Sequence, residues 1–161
     1  MIYIGIGSNL KSEVYNSSKE VCLVAIEKIN KYFNIKKISS FYESEPVPKS
    51  NQPLFANAVF EIETNKNANE ILEILHSTEK SFGRIRQKKN ESRILDLDLI
   101  DYKGTIINTP KVIIPHPRMH LRKFVLLPLN EIAPNWIHPV LKNKIPILLR
   151  NIHNDQKITK L

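Results

Sequence analysis

Cysteine is all but missing from this chain of 161 residues, and the single Cys22 excludes an intrachain disulfide. It lies in VCLVAI, among helix-core neighbours and beside no visible base, so it reads as a small buried hydrophobe rather than a nucleophile. Glycine is also scarce, at 4 residues, which excludes collagen-like and glycine-rich low-complexity chains. No long apolar run occurs: VLLPL is the nearest, far short of the ~20 residues that cross a bilayer. The opening MIYIGIGSNL has neither a basic leader nor a small-residue cleavage pattern, so no secretory signal and a cytoplasmic location are expected. Internal repeats are lacking too. What is present is a globular composition, 42% hydrophobic and 25% charged, in a length that suits a single domain over 1–161. The charge is one-sided, 24 Lys and Arg against 16 Asp and Glu, or +8. A basic surface attracts nucleic acid, anionic membranes and phosphorylated small molecules alike, so charge by itself does not choose among them.

Periodicity divides the chain into alternating elements. Residues 2–6 (IYIGI) read as a strand that meets the turn-forming cluster GSNL. From about Ser12 to Phe33, Val14, Val21, Cys22, Ala25, Ile29 and Phe33 fall on one helical face. Ile35 to Glu43 is β-branched and aromatic, EPVPKSNQP is a loop, and LFANAVFEIET alternates as a further strand. Asn67 with Glu70 three residues on resembles a capping box, which predicts a helix that carries Ile71, Leu75, Thr78 and Phe82 and stops at Gly83. The charged segment RIRQKKNESR then leads into the strand ILDLDLI. A hairpin around Lys103–Gly104, the punctuated IPHPRMHLRKF, a short helix near Val125–Ile132 and a proline-bearing tail complete the chain. Strand, helix, strand, strand, helix, strand is the order of an α+β, ferredoxin-like domain, an antiparallel sheet covered by helices. That fold hosts unrelated activities, so function has to come from particular residues.

Asp96 and Asp98 stand two apart on a predicted strand, which puts both carboxylates on one face while Leu95, Leu97 and Leu99 face the core. Such a pair is either a solvated strand face or a seat for a cation that relieves the repulsion, and Mg²⁺ often takes only one or two carboxylates plus substrate phosphates. Arg84, Arg86, Lys88, Lys89 and Arg93 precede the acids, and Arg118 and Arg122 follow them. Cations around an acid pair fit a polyphosphate, because arginine forks bind phosphate oxygens while the acids hold the bridging metal. GIGSNL lacks the third glycine of GxGxxG and is followed by no GK[ST], so Gly5 and Gly7 are read as giving a turn or close backbone approach. His116 and His120 have a zinc-like spacing, but Pro115 and Pro117 oppose a regular helix and no third ligand is evident. His116 is better read as a donor to phosphate, and His76, His120, His138 and His153 as surface or structural. Phe55 and Asn57 share a strand face where a ring and an amide could receive a flat heterocycle. A buried Asn57 needs partners for its amide, which a ligand could supply.

Taken together, these segments resemble the 6-hydroxymethyl-7,8-dihydropterin pyrophosphokinase family. GSNL at 7–10, SSFYESEPV at 39–47, NQPLFANAV at 51–59, FGRIR at 82–86, SRILDLDLI at 92–100, IPHPRM at 114–119 and FVLLPLNEIAP at 124–134 follow the family's order over most of residues 2–135. The resemblance implies transfer of pyrophosphate from ATP to the hydroxymethyl group of the pterin, with release of AMP, in folate biosynthesis. It implies Asp96 and Asp98 as ligands of two Mg²⁺ ions, with Arg84, Arg86 and Arg93 as loop cations of the catalytic set. ATP would meet Arg84, Arg93, His116 and Arg122. The pterin would stack between Phe55 and Phe124, with Asn57 on its guanine-like edge and Ser44 to Val47 contributing the rest. Phe55 stands where the family often has tyrosine, which keeps the stacking face. Lys89-Asn90-Glu91-Ser92-Arg93 departs from the glycine or alanine usual two residues before the arginine, and Glu91 adds negative charge beside the phosphate path. No strong general base is visible; Asp98 is an acceptor for the hydroxyl proton, though a weak base when it holds metal.

The expected partners are the two small-molecule substrates, with no nucleic acid or membrane and a monomeric chain. A nucleotidyltransferase also joins a GS turn to a DxD pair, but there the two lie close, whereas here most of a domain separates Ser8 from Asp96. An RNA-recognition domain would need aromatics on exposed central strands, where ILDLDLI presents acids that repel a phosphate chain.

Overall fold

The computed structural model describes residues 1–9, 17–46, 48–51, 53–83 and 94–161. The alternation in IYIGIGS forms β1 (Ile2–Ser8). The first helix, α1 (Ser18–Ile29), begins where the Ser17 hydroxyl accepts the Glu20 N–H. Its expected start near Ser12 falls outside the described residues. It ends before the expected Phe33, which is still buried after a turn in which its N–H donates to the Ile29 carbonyl.

The strand expected over 35–43 is two pieces, β2 (Asn34–Ile38) and β3 (Tyr42–Ser44). Between them Ser39 donates its N–H to the Val59 carbonyl and accepts the Val59 N–H on its hydroxyl. A side-chain oxygen thus takes the place of a ladder carbonyl, and the run of main-chain pairing is interrupted there. β4 (Phe55–Glu63) is the long strand onto which β2 and β3 both pair. The capping box forms as read, with Asn67 Oδ1 accepting the Glu70 N–H and Glu70 Oε1 accepting the Asn67 N–H, and α2 (Ala68–Ser81) follows. Gly83 closes this stretch at φ +87°, a conformation suited to glycine.

β5 (Asp96–Tyr102) ends in a tight turn, with Lys103 at φ 55°, Gly104 at φ 67° and the Thr105 N–H on the Tyr102 carbonyl. The turn is where the hairpin was expected, but its partner strand is not: β6 (Ile107–Asn108) pairs with β7 (Ile113–Ile114), not with β5. After a 3₁₀ turn at Met119–Leu121 come α3 (Lys123–Ile132), α4 (Ile145–Arg150) and β8 (Ile158–Lys160). The tail is therefore structured, which its proline-punctuated sequence did not announce. Among the described residues no helix is long and apolar enough to cross a membrane.

The sheet runs β5-β1-β4-β3-β8, with β2 beside the other end of β4, and its neighbours are antiparallel. This is the expected ferredoxin-like α+β order. One face packs Ile4, Ile6, Ala58, Phe60, Leu97 and Leu99 against the apolar faces of α1 and α2. The other packs Tyr3, Val59 and Ile100 against α3 and α4 through Val125, Leu126, Leu129, Ile145 and Leu148. That second cover is incomplete, and described residues of the expected site line the recess where it stops.

Candidate functional site

The register across β4, β1 and β5 determines what this open part of the sheet presents. Asn57 lies opposite Gly7 and Gly7 opposite Asp96; one step along, Val59 faces Gly5 and Gly5 faces Asp98. Residues directly opposite share a face, so the amide and the acid pair stand on one surface, roughly 10 Å apart across two strand spacings. Glycine makes the floor between them. A Cβ on Gly7 would lie 3.0 Å from Asn57 Oδ1, and one on Gly5 would lie 3.0 Å from Ile100 Cδ1. The close-approach reading of these glycines holds.

Beside this row the β1–β5 register slips: Tyr3 faces Asp101 but Ile4 faces Leu99, which leaves Ile100 as the extra residue of a bulge. Ile100 then lines the recess, while Asp101 turns to accept the Trp136 indole N–H at 2.9 Å and the Gly104 N–H at 3.2 Å. Burial raises the Asp101 carboxyl above its ordinary pKa in spite of those bonds. Asp96 and Asp98 are partly exposed, with Leu95, Leu97 and Leu99 buried beneath, as the alternation predicts.

The Asn57 amide is buried at 4% exposure and its orientation follows from its partners. Nδ2 donates to Ser44 Oγ at 2.7 Å and to the Tyr42 carbonyl at 3.4 Å, an oxygen that can only accept. The nitrogen is thereby turned to β3 and the amide oxygen is placed beside Gly7. Phe55, at the start of β4, and Phe124, at the start of α3, line the same recess, and the Arg122 guanidinium lies 5.5 Å from the Phe124 ring.

His116 follows β7 and is tied to β5 by its N–H on the Ile100 carbonyl. Its Nδ1 accepts the Arg118 N–H at 3.2 Å, so the neutral ring carries its proton on Nε2, which lies 4.0 Å from Asp98 Oδ1. Burial, then the cations Arg122 and Arg118, lower its pKa to about 4 against the opposing pull of Asp96. At neutral pH it is an uncharged donor. His120 turns away, edge-on to His138 at 5.8 Å between ring centroids.

The recess holds about 680 Å³ including its open mouth, and joins Gly5, Gly7, Asn57, Asp96, Asp98 and His116 to an apolar rim. Of the expected site residues it brings together Phe55, Asn57, Asp96, Asp98, His116, Arg122 and Phe124, with Ser44 immediately behind Asn57. Val47, Arg84, Arg86 and Arg93 lie outside the described residues. Ile100, Met119 and Val125 also line it; their apolar character gave the sequence reading no signal. Among the described residues no three or more His, Cys, Asp or Glu side chains gather into a metal cluster. Two carboxylates on a rigid strand suit a hard cation that takes its remaining oxygens from phosphate and water, and do not suit zinc.

The chain matches one protein family and several named relatives along most of its length. The model of the 7,8-dihydro-6-hydroxymethylpterin-pyrophosphokinase (HPPK) family matches residues 3–134. The 2-amino-4-hydroxy-6-hydroxymethyldihydropteridine pyrophosphokinase of Haemophilus influenzae is 37% identical over 161 residues, covering 99% of this chain and 96% of its own. The protein of the same name from Aquifex aeolicus is 35% identical over 144 residues, 89% and 87% of the two chains. The folic acid synthesis protein FOL1 of Dictyostelium discoideum is 36% identical over 160 residues, 96% of this chain, which spans only 24% of that longer protein. A crystal structure of HPPK-DHPS in complex with substrates has the same fold, with a TM-score of 0.63 and 14% identity over 92% of this chain and 42% of its own.

Proposed function

The chain belongs to the 7,8-dihydro-6-hydroxymethylpterin-pyrophosphokinase family, and on that premise we propose how the recess performs pyrophosphoryl transfer to hydroxymethyldihydropterin, a step of folate synthesis, with ATP as donor. The observation that supports the reading is the row Asn57, Gly7, Asp96, with the Asn57 amide and the Asp96 and Asp98 carboxylates on one face over a glycine floor.

Both N–H groups of Asn57 are committed to β3, so its oxygen is the group left to accept from an N–H on the edge of the pterin. Phe55 and Phe124 stack on the ring faces. The hydroxymethyl oxygen then points along the floor toward Asp96 and Asp98. Those carboxylates would hold Mg²⁺, two ions in our reading, which would offset the charge that develops on the phosphates. His116 Nε2–H donates to a phosphate oxygen without adding a full positive charge, and Arg122 adds one beside it. Arg84, Arg86 and Arg93 complete the phosphate contacts in this reading, and Val47 the pterin contacts. The hydroxymethyl oxygen attacks the β-phosphorus in line and gives up its proton, with Asp98 as the acceptor at hand; the bond from the β-phosphorus to the oxygen it shares with the α-phosphate breaks, and AMP departs with that oxygen as the β,γ unit passes intact to the pterin. Positioning and charge neutralisation supply most of the rate in such a loose transfer. We read 1–161 as one domain that acts as a monomer in the cytoplasm, binding neither nucleic acid nor membrane.

Incubating the purified chain with ATP, Mg²⁺ and 6-hydroxymethyl-7,8-dihydropterin and identifying the nucleotide product tests this. AMP is the expected product, ADP would overturn the reading, and omission of Mg²⁺ is expected to abolish turnover.

A further inference from the structure

The main chain that carries Arg122 is gripped by a side chain more than thirty residues away in sequence. Arg122 is extended, at φ −122° and ψ 109°, between the 3₁₀ turn and α3, and it supplies no side-chain cap to that helix. Gln156 serves instead. Its Oε1 accepts the Lys123 N–H at 3.0 Å, and its Nε2 donates to the Leu121 carbonyl at 2.8 Å and to Asn154 Oδ1 at 2.9 Å. A primary amide that takes an N–H and gives to a C=O two residues earlier copies the pairing of an adjacent strand. The Arg122 N–H is itself committed to the Met119 carbonyl at 3.2 Å. Residues 121, 122 and 123 are thus each fixed by a main-chain hydrogen bond. Gln156 is 9% exposed, so neither of its bonds to this backbone is readily replaced by water.

We propose that Gln156 is a positioning residue for Arg122, and that the tail beyond residue 134, outside the family match, is thereby part of the phosphate-binding side of the recess. The proposal rests on the reading of Arg122 as an ATP contact. Nothing in NDQKITKL signals it, because the pairing depends on where α4 and β8 deliver the tail.

Gln156→Met keeps the length of the side chain and forms neither hydrogen bond, whereas Gln156→Glu keeps the acceptor and loses the donor. The measurements are the KM of each substrate and the calorimetric Kd of ATP with Mg²⁺, for each variant alone and combined with Arg122→Ala. With two hydrogen bonds lost, Gln156→Met is expected to raise the KM and Kd of ATP about tenfold and to leave the pterin KM within about twofold. In the Arg122→Ala background it should add less than about twofold, since the two residues act through one another. Unchanged ATP values, or the same loss with and without Arg122, would overturn the proposal; should Gln156→Met fail to fold, Gln156→Glu is judged by the same criteria. Absence of AMP from the parent chain would count against the activity, while the ATP Kd comparison decides the role of Gln156.

Discussion

Gly7 and Asn57 show how closely the floor of the recess is fitted. A methyl group on Gly7 would press on the amide oxygen at 3.0 Å, and the amide cannot retreat without stretching its 2.7 Å bond to Ser44 Oγ. Gly7→Ala should therefore raise the pterin KM by about tenfold, the effect of roughly one well-placed hydrogen bond, with the ATP KM unchanged in steady-state kinetics. For the acid pair, Asp96→Asn and Asp98→Asn keep the shape and remove the charge. Each should lower kcat on the order of 100-fold or more, given the several kcal/mol of charge stabilisation ascribed to a metal, while the urea midpoint stays close to that of the parent. A variant of either that retains parental turnover would remove that residue from metal binding. The acids were legible in sequence because a strand's twofold alternation is rigid. The need of Asn57 for partners was legible too, but its actual partners, Ser44 Oγ and the Tyr42 carbonyl, belong to a neighbouring strand that only the tertiary register brings alongside.

Glu131, near the end of α3, ties that helix to β3. Its Oε1 accepts the Ser40 N–H at 2.8 Å and the Ser40 hydroxyl at 2.7 Å, and its Oε2 accepts the Tyr42 hydroxyl at 2.7 Å. These bonds and Lys160 hold the Glu131 carboxyl below the ordinary range even though burial opposes them. Phe124 lies in the first turn of the helix and Ser44 at the end of the strand, so the tie sets the spacing between two walls of the proposed pterin slot. Glu131→Ala should cost only about 1 kcal/mol of stability, because water replaces the exposed partners. The pterin KM should nevertheless rise while the ATP KM stays put, the reverse of the pattern expected at Gln156. Equal changes in the two would show that the tie is only structural. At this scale α2 was legible from its capping box, and β4 and β5 from alternation. The break at Ser39, the two-residue β6 and β7, and β8 were not, because strands this short are decided by which edge is left to pair rather than by their own residues. The six-residue α4, with proline in its first turn, shows too little periodicity to be seen.

For the whole molecule, the order of elements was enough to give the antiparallel sheet covered by helices, of which α1 and α2 lie on one face. The short helix expected near Val125–Ile132 is present as α3, but its packing with α4 as a second cover was not read from the sequence, because the tail carries almost no pattern. That cover brings its own titration. His138, buried between Trp136 and His120, accepts the Val140 and Leu141 N–H groups on Nδ1. Burial, and secondarily His120, lower its pKa to about 4, and His116 is lowered to about 4 as well. An unfolded histidine titrates near 6.5. Between those values the unfolded chain binds more protons than the folded one, so each histidine's contribution is complete above about pH 6.5 and is lost as the pH falls toward 4. Asp101, with its raised pKa, works in the opposite sense, favouring the fold where it is protonated and losing that contribution as the pH rises through its folded value. A comparison with a variant at His138 alone cancels Asp101 and His116. His138→Asn can keep an acceptor for the two N–H groups without a titrating ring. The urea midpoint of the parent, measured without nucleotide, should fall between pH 7 and pH 5, and that of His138→Asn should fall less. Parallel curves for the two proteins would show that His138 enters the folded state as readily charged as neutral.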